Sequence, residues 1–186
     1  PLVVAIGVEA LRALAAAHER IAPDGQPAPV IHRDISPPNI LMHVNGLVKL
    51  TDFGLARAKD RLRKLTQPGI VKGKFSYLAP ETAAGQEADA QADIFAAGIM
   101  LWEMIAGRRL FQGESDFQTV KMVQQAVVPS IRSVNNAVSE ELERILKTAL
   151  ARDKSVRYTD AQSFGEDLTT FLVNHRMKVT AVDVAR

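Results

Sequence analysis

Asp34, Asn39 and Asp52 are the residues whose types and spacing are best suited to chemistry. A carboxylate and an amide oxygen side by side suit a hard cation such as Mg²⁺, which takes a few protein oxygens and leaves its other positions to phosphates and water. Asp34 lies five residues before Asn39 and brings a second carboxylate to the same place. Two carboxylates, one amide and a metal ion are the components of phosphoryl transfer, where catalysis is mostly positioning and neutralisation of charge.

A β-hairpin is the element that must hold two of these residues together. The dipeptide Asn45-Gly46 separates two short apolar runs, residues 40–42 and 47–50, and Asn-Gly is typical of a two-residue hairpin turn. This turn predicts that Asn39 lies directly opposite Asp52 at the open end of the hairpin. Directly opposed residues have Cβ atoms about 4.5–5.5 Å apart.

The remainder of the chain predicts a mostly helical domain around the hairpin. Residues 92–106 carry only two charges, which predicts a buried central helix with Trp102 and Met104 in the core. A long charged stretch, residues 56–74, is punctuated by Gly and Pro and predicts a loop. Apolar periodicity predicts further helices over residues 3–20, 116–127, 138–151 and 160–174.

Composition excludes several classes of protein. A chain of 186 residues that is 47% hydrophobic and 24% charged is typical of one globular domain and excludes a disordered or fibrous protein. The absence of Cys excludes disulfides, zinc-thiolate sites and cysteine nucleophiles. A net charge of +2 gives little support to a nucleic-acid partner. The longest apolar run, residues 94–102, is far shorter than the ~20 residues that span a bilayer, and the first residues do not predict a secretion signal.

Several motifs together resemble those of eukaryotic-type protein kinases. Residues 32–39, His-Arg-Asp-Ile-Ser-Pro-Pro-Asn, resemble their catalytic loop, and Asp52-Phe53-Gly54 resembles their metal-binding triplet. Leu-Ala-Pro-Glu at 78–81 resembles the end of their activation segment, and Asp93 and Arg157 resemble two later anchor residues. The motifs occur in the family's order over nearly the whole chain, and this chain most resembles the bacterial Ser/Thr kinases of the family.

The resemblance implies the fold class: α+β, mostly α, a protein-kinase-like C-terminal lobe with a small β-hairpin. The family's Gly-rich loop, strand Lys and helix Glu have no counterpart here, so the N-terminal lobe is expected to be absent. We expect residues 1–176 to form the C-terminal lobe of a kinase domain and residues 177–186 to begin a tail or a truncated helix. The missing lobe is expected from the same full-length polypeptide, and this fragment alone is expected to be inactive.

The resemblance also implies roles in binding ATP and Mg²⁺. Asp34 would accept or orient the proton of the substrate hydroxyl. Asp52 would hold the Mg²⁺ that bridges the ATP phosphates, and Asn39 would hold a second Mg²⁺ and brace Asp34. Leu41 would lie beneath the adenine ring. Alone, an Asp-Phe-Gly is usually a turn and an Asn before a strand is usually a cap, but the joint pattern favours the functional interpretation.

Five further residues receive regulatory or structural roles from the resemblance. His32 and Phe53 would stack in the apolar spine that sets the active arrangement. Glu81 and Arg157 would form a buried ion pair that ties the activation segment to the helical base. Asp93 would accept hydrogen bonds from the backbone of the catalytic loop; the alternative is a helix N-cap.

The loop between Asp52 and Glu81 carries a predicted regulatory site. Thr66 is the only hydroxyl residue in 55–75 and follows several basic residues. A phosphate on Thr66 would pair with Arg33 and order the loop; the alternative is a solvated loop threonine. No aromatic residues interleave with the basic run, so nucleic-acid binding is not expected.

Two departures from the usual pattern of Ser/Thr kinases occur together. Ser36 stands where these kinases carry a catalytic-loop Lys, and Lys74 stands where they carry Thr. We hypothesise an exchange in which Lys74 supplies the ammonium group beside the transferring phosphate and Ser36 supplies a hydroxyl beside Asp34. The alternative is that Lys74 points to solvent and activity is weakened.

The expected function is transfer of the ATP γ-phosphate to Ser or Thr hydroxyls of a protein substrate by the intact protein. A pseudokinase or docking module that binds a partner without catalysis is one alternative, and a small-molecule phosphotransferase of related fold is another. Tyr specificity is disfavoured because residues 35–38 contain no Arg. We expect a cytoplasmic domain with no membrane segment in this chain; membrane anchoring elsewhere in the polypeptide stays open.

Overall fold

The structure is a computed structural model that describes residues 1–53 and 75–185. The chain begins with helix α1 (Leu2–His18), and a Pro-rich connection leads into a 3₁₀ turn (Pro37–Asn39) and a two-stranded antiparallel hairpin, β1 (Ile40–Met42) and β2 (Val48–Leu50). The helices after residue 75 are α2 (Pro80–Ala83), α3 (Ala90–Ala106), α4 (Asp116–Gln125), α5 (Ile131–Val134), α6 (Glu140–Ala149), α7 (Ala161–Asn174) and α8 (Ala181–Ala185). The expectation of a mostly helical chain with a small hairpin is confirmed.

Helix α3 forms the centre of the core, as its apolar sequence predicts. Every residue from Ala92 to Glu103 is buried, and α1, α5, α6 and α7 all contact this helix. The Asp89 side chain caps its N-terminus by accepting a hydrogen bond from the Ala92 N–H. At the crossing with α1, a Cβ added to Gly7 would lie 2.6 Å from Leu101 Cδ2, so glycine is what allows the two helices to approach.

The hairpin differs from its predicted register by one residue. The pairs are Ile40 with Leu50 and Met42 with Val48, and the His43 N–H donates to the Leu47 carbonyl. The loop therefore has three residues, 44–46, instead of the predicted two. Gly46 takes φ +82°, which matches the three-residue loop in which a turn is followed by a left-handed residue.

The register shift changes the neighbour of Asn39. The prediction that Asp52 lies directly opposite Asn39 is wrong, because the Thr51 N–H donates to the Asn39 carbonyl at 3.0 Å. Asp52 follows one residue later, beyond the last pair of the ladder. The physical reason is that the loop takes in Val44, which moves each strand partner by one position.

In the ranges 1–53 and 75–185, no helix combines the length and the apolar character needed to cross a membrane. Gly54, Thr66, Lys74 and the rest of the predicted loop at 56–74 lie outside the described residues.

Candidate active site

Asp93, in the first turn of α3, anchors the loop that precedes the hairpin. Its carboxylate accepts hydrogen bonds from the backbone N–H groups of His32 at 2.7 Å and Arg33 at 2.8 Å. The residue is buried, and the helix N-cap is Asp89, so the alternative interpretation of Asp93 as an N-cap is wrong. Arg33 has φ +67°, an uncommon conformation for a non-glycine residue, and these hydrogen bonds hold the loop in it.

The His32 ring joins the loop to the end of strand β2. Its Nε2 lies 2.7 Å from the carbonyl oxygen of Thr51, and the Asp34 N–H donates to its Nδ1 at 3.2 Å. Because a carbonyl can only accept and a backbone N–H can only donate, the network assigns a neutral ring with its proton on Nε2. The ring also packs against Phe53, with 4.6 Å between centroids.

Asn39 links the same loop to the hairpin. Its Nδ2 donates to the Asp34 carbonyl at 2.7 Å, and its own carbonyl accepts from both the N–H and the hydroxyl of Thr51. The residue is buried at the end of the 3₁₀ turn. Asn39 therefore fixes the backbone on which the half-buried Asp34 side chain stands. The Ser36 hydroxyl makes only a marginal contact with the same carbonyl, at 3.5 Å.

Asp52 lies where the hairpin ends, between two residues that contact His32. Thr51 accepts from the His32 ring and Phe53 packs on it, so both neighbours of Asp52 contact His32. Its φ is +63° and the residue is exposed. Asp adopts this left-handed conformation more readily than most non-glycine residues, and a loop that holds it there is typical of functional sites.

These oxygens fit a hard divalent cation. Asn39 uses its amide nitrogen for the Asp34 carbonyl, so its Oδ1 is the atom that could face a metal. The exposed Asp52 carboxylate is the second donor, and an amide with a carboxylate is a donor set that Mg²⁺ accepts. Among the residues described, no cluster of three or more His, Cys, Asp or Glu could hold a metal. Mg²⁺ commonly completes its shell with water and phosphate oxygens.

The hairpin exposes apolar side chains. Leu41, the residue expected beneath an adenine ring, is 51% exposed, and Met42 and Leu47 are exposed to a similar degree. Covering this apolar surface with a flat ring would remove it from water, which is favourable. The exposed Leu41 is therefore available for a contact of that kind.

Glu81 and Arg157 form the ion pair that the sequence predicts. Arg157 Nη1 lies 2.7 Å from Glu81 Oε1, and Nη2 lies 3.1 Å from Oε2, which makes the contact bidentate. The Arg157 side chain has no exposed surface. It also donates to the carbonyls of Gln91 and Ala151 and stacks on the Phe95 ring. The pair joins α2 to the connection before α7, and the contacts with Gln91 and Phe95 join that connection to α3.

One functional neighbour of Asp93 is absent from the sequence predictions. His18, at the end of α1, donates from Nε2 to Asp93 Oδ2 at 2.9 Å. The position of His18 on the apolar face of α1 indicates that its side chain is buried. The sequence alone does not pair it with a residue 75 positions away.

A polar cluster on Glu103 is also absent from the predictions. Tyr77 donates to Glu103 Oε2 at 2.6 Å, the Leu110 N–H donates to Oε1, and Arg109 contacts both Tyr77 and Glu103. Burial and the hydrogen bond to Glu103 raise the pKa of Tyr77 well above its ordinary value. The cluster fixes Tyr77 against the end of α3.

Comparison with known proteins finds a matching family and several similar relatives. The protein kinase domain family matches residues 3–169. The chain is 42% identical over 94% of its length to the tyrosine-protein kinase MasK of Myxococcus xanthus, of which it covers 27%. It is 40% identical over 76% of its length to the probable serine/threonine-protein kinase PknB of Lactococcus lactis (22% covered), and 35% identical over 89% to the serine/threonine-protein kinase PknL of Mycobacterium tuberculosis (39% covered). The chain thus spans well under half of these relatives.

Proposed function

The chain belongs to the bacterial branch of the eukaryotic-type protein kinase family, and from this premise we propose that the polypeptide containing it transfers the γ-phosphate of ATP to Ser or Thr hydroxyls of proteins. The observation that carries the proposal is the network around His32, Asn39 and Thr51, since it joins the segment of Asp34 to the segment of Asp52. The hydroxyl oxygen of the substrate forms a bond to the γ-phosphorus, and the bond from that phosphorus to ADP breaks.

Asp34 is proposed to accept or orient the proton that leaves the hydroxyl. A base must be held within hydrogen-bond reach of its proton, and the Asn39 amide and the His32 ring both bond the Asp34 backbone. These two contacts restrict the main chain on both sides of the carboxylate. Arg33, just before it, is held in turn by Asp93.

Asn39 and Asp52 are proposed to hold Mg²⁺ through Oδ1 and the carboxylate. When bound, the metal would neutralise charge on the phosphates. The chain's own contribution is to keep the two side chains at the end of one hairpin, whose strands are joined by Thr51 and Asn39. Leu41 on β1 is proposed to contact the adenine ring.

The names of the relatives differ in the type of residue that accepts the phosphate. One carries the name of a tyrosine-protein kinase and two carry the names of serine/threonine-protein kinases. The absence of Arg from residues 35–38 supports Ser or Thr. The test is transfer of labelled phosphate to a generic protein by the chain extended upstream through a small lobe, followed by phosphoamino acid analysis. Phosphoserine or phosphothreonine is expected; phosphotyrosine alone would contradict the proposed acceptor.

The exchange between Lys74 and Ser36 stays a proposal. One positive charge is needed near the transferring phosphate, and Ser36 cannot supply it. Kinetics of Lys74→Ala are expected to show a large fall in kcat, with recovery in the double variant Ser36→Lys and Lys74→Thr. A kcat for Lys74→Ala equal to that of the parent would contradict the exchange.

The proposed phosphate on Thr66 is tested by Thr66→Ala, which should lose phosphorylation and activity.

We also propose that a small lobe from the same polypeptide completes the ATP site, and that residues 1–176 correspond to the large lobe. The exposed Leu41 and Met42 support a covering domain at the hairpin.

A docking module without catalysis is the second candidate, favoured by Ser36 at the usual lysine position. Binding of MgATP without phosphate transfer would support that candidate over the first.

A further inference from the structure

The C-terminal segment, residues 177–185, lies against the turn of the hairpin. Gly46 is buried although its neighbours Asn45 and Leu47 are exposed. A Cβ added to Gly46 would lie 1.8 Å from the carbonyl oxygen of Ala181 and 2.6 Å from its Cα. The main chain of the C-terminal segment is therefore what covers Gly46, at a distance that leaves no room for a side chain.

The end of α7 turns the chain toward the hairpin. Arg176 has φ +53°, the Met177 N–H donates to the Leu172 carbonyl at 2.8 Å, and the Arg176 N–H donates to the Val173 carbonyl at 3.0 Å. This pair of hydrogen bonds is the Schellman arrangement that ends many helices. Met177 also packs against the core, so the direction in which the chain leaves α7 is fixed by local contacts.

A second local motif starts helix α8 at the point of contact. The Thr180 N–H donates to Asp183 Oδ2 at 2.8 Å, and the Asp183 N–H donates back to the Thr180 hydroxyl at 3.4 Å. These reciprocal bonds form a capping box. The capping box sets the first helical residue, Ala181, beside Gly46, and α8 also contacts α1.

We propose that residues 177–185 form a strap that stabilises the hairpin and that release of the strap loosens it. A hairpin of two strands is marginally stable alone, and β1 and β2 each have three residues. The hairpin therefore depends on what packs against it, namely α1 behind β2 and the strap at the turn. Because β1 carries Leu41 and β2 leads to Asp52, the strap would act as a positioning element for the nucleotide site. That consequence rests on the proposed function, whereas the docking does not.

The chain offers a matched pair of glycines for the test. Gly46 has φ +82° and Gly25 has φ +81°, but a Cβ on Gly25 would meet no atom within 4 Å. Asn tolerates the left-handed conformation, so Gly25→Asn carries only the backbone cost. Gly46→Asn carries the same cost and also the clash with Ala181. Gly25→Asn is therefore the control for a left-handed Asn that meets no other atom.

The measurement is millisecond hydrogen–deuterium exchange of the whole chain, resolved over residues 43–48 and 178–185. In Gly46→Asn both stretches are expected to exchange about tenfold faster than in the parent, while Gly25→Asn leaves them unchanged. Equal exchange in Gly46→Asn and the parent would overturn the proposal.

Removal of residues 180–186 is the second variant, and it keeps Met177 and the turn after α7. Exchange at the N–H groups of His43 and Gly46, which bond the carbonyls of Leu47 and His43, is expected to accelerate. Gly46→Asn should then add only its backbone cost in the shortened chain, so comparison of its effect in the full and shortened chains isolates the clash. Unchanged hairpin exchange after the removal would refute the strap. None of these readouts depends on phosphate transfer, so their failure is separate from failure of the proposed function.

Discussion

Loss of the negative charge on Glu81 is expected to destabilise the protein strongly. Arg157 has no exposed side-chain surface and its guanidinium makes two contacts with Glu81, at 2.7 and 3.1 Å. Glu81→Gln keeps the size of the side chain but leaves the buried Arg157 guanidinium with neutral groups as its hydrogen-bond partners. Breaking a buried pair on one side typically costs ~3–5 kcal/mol. This is a large fraction of the ~5–15 kcal/mol that stabilises a typical domain.

An exposed ion pair of the same length provides the control. Arg132 Nη1 lies 2.7 Å from Glu140 Oε1, but the two side chains are 43% and 82% exposed. Glu140→Gln is therefore expected to cost about 0–1 kcal/mol. Burial is the main difference between the two pairs, so comparison of the two variants measures its effect.

The assay is equilibrium unfolding in urea, with the free energy of unfolding obtained for the parent and both variants. A further variant, Glu81→Leu with Arg157→Met, removes both charges. It is expected to be less destabilised than the sum of its single substitutions, because neither charge is then left unpaired. A cost below about 1 kcal/mol for Glu81→Gln, equal to that of Glu140→Gln, would refute the argument from burial.

Two other predictions concern stability. Asp93→Asn is expected to lower the free energy of unfolding by about 1–3 kcal/mol. The N–H groups of His32 and Arg33 donate to different oxygens of Asp93, and the amide keeps only one oxygen, so one of these donors loses its acceptor. An unchanged free energy of unfolding in urea would contradict this prediction. Burial, with hydrogen bonds to carboxylates, raises the pKa of both tyrosines, Tyr77 and Tyr158. The unfolded chain then loses these protons near pH 10 while the folded chain keeps them, so stability should fall as pH rises above about 10. Tyrosinate absorbance that rises near pH 10 in the native protein, as in urea, would contradict the second prediction.

The helices of this protein could be predicted from its sequence because their signals are local. The apolar composition of residues 92–106 predicts the buried helix α3, which the structure places at 90–106. The amphipathic pattern at 160–174 similarly predicts α7, which the structure begins one residue later at Ala161. Each of these signals depends on residues within a few turns of one another.

The hairpin register and the partners of buried polar groups could not be predicted in the same way. Asn45-Gly46 is compatible with loops of two or three residues, and the structure adopts the three-residue loop with Gly46 left-handed. The contact of His18 with Asp93 joins residues that are distant in the chain. The close approach of Ala181 to Gly46 likewise has no signal at either position alone.

Asp34 is proposed to lie in a site that transfers phosphate, and the rate of transfer from MgATP to a protein acceptor measures its contribution. Asp34→Asn is compared with the parent and with Asp24→Asn, an exposed acidic residue in the turn after α1, all in the chain extended upstream through the small lobe. Asp34→Asn is expected to lower the rate by about 10²–10⁴-fold, with Asp24→Asn unchanged. A rate for Asp34→Asn equal to that of the parent would contradict the assignment of this site.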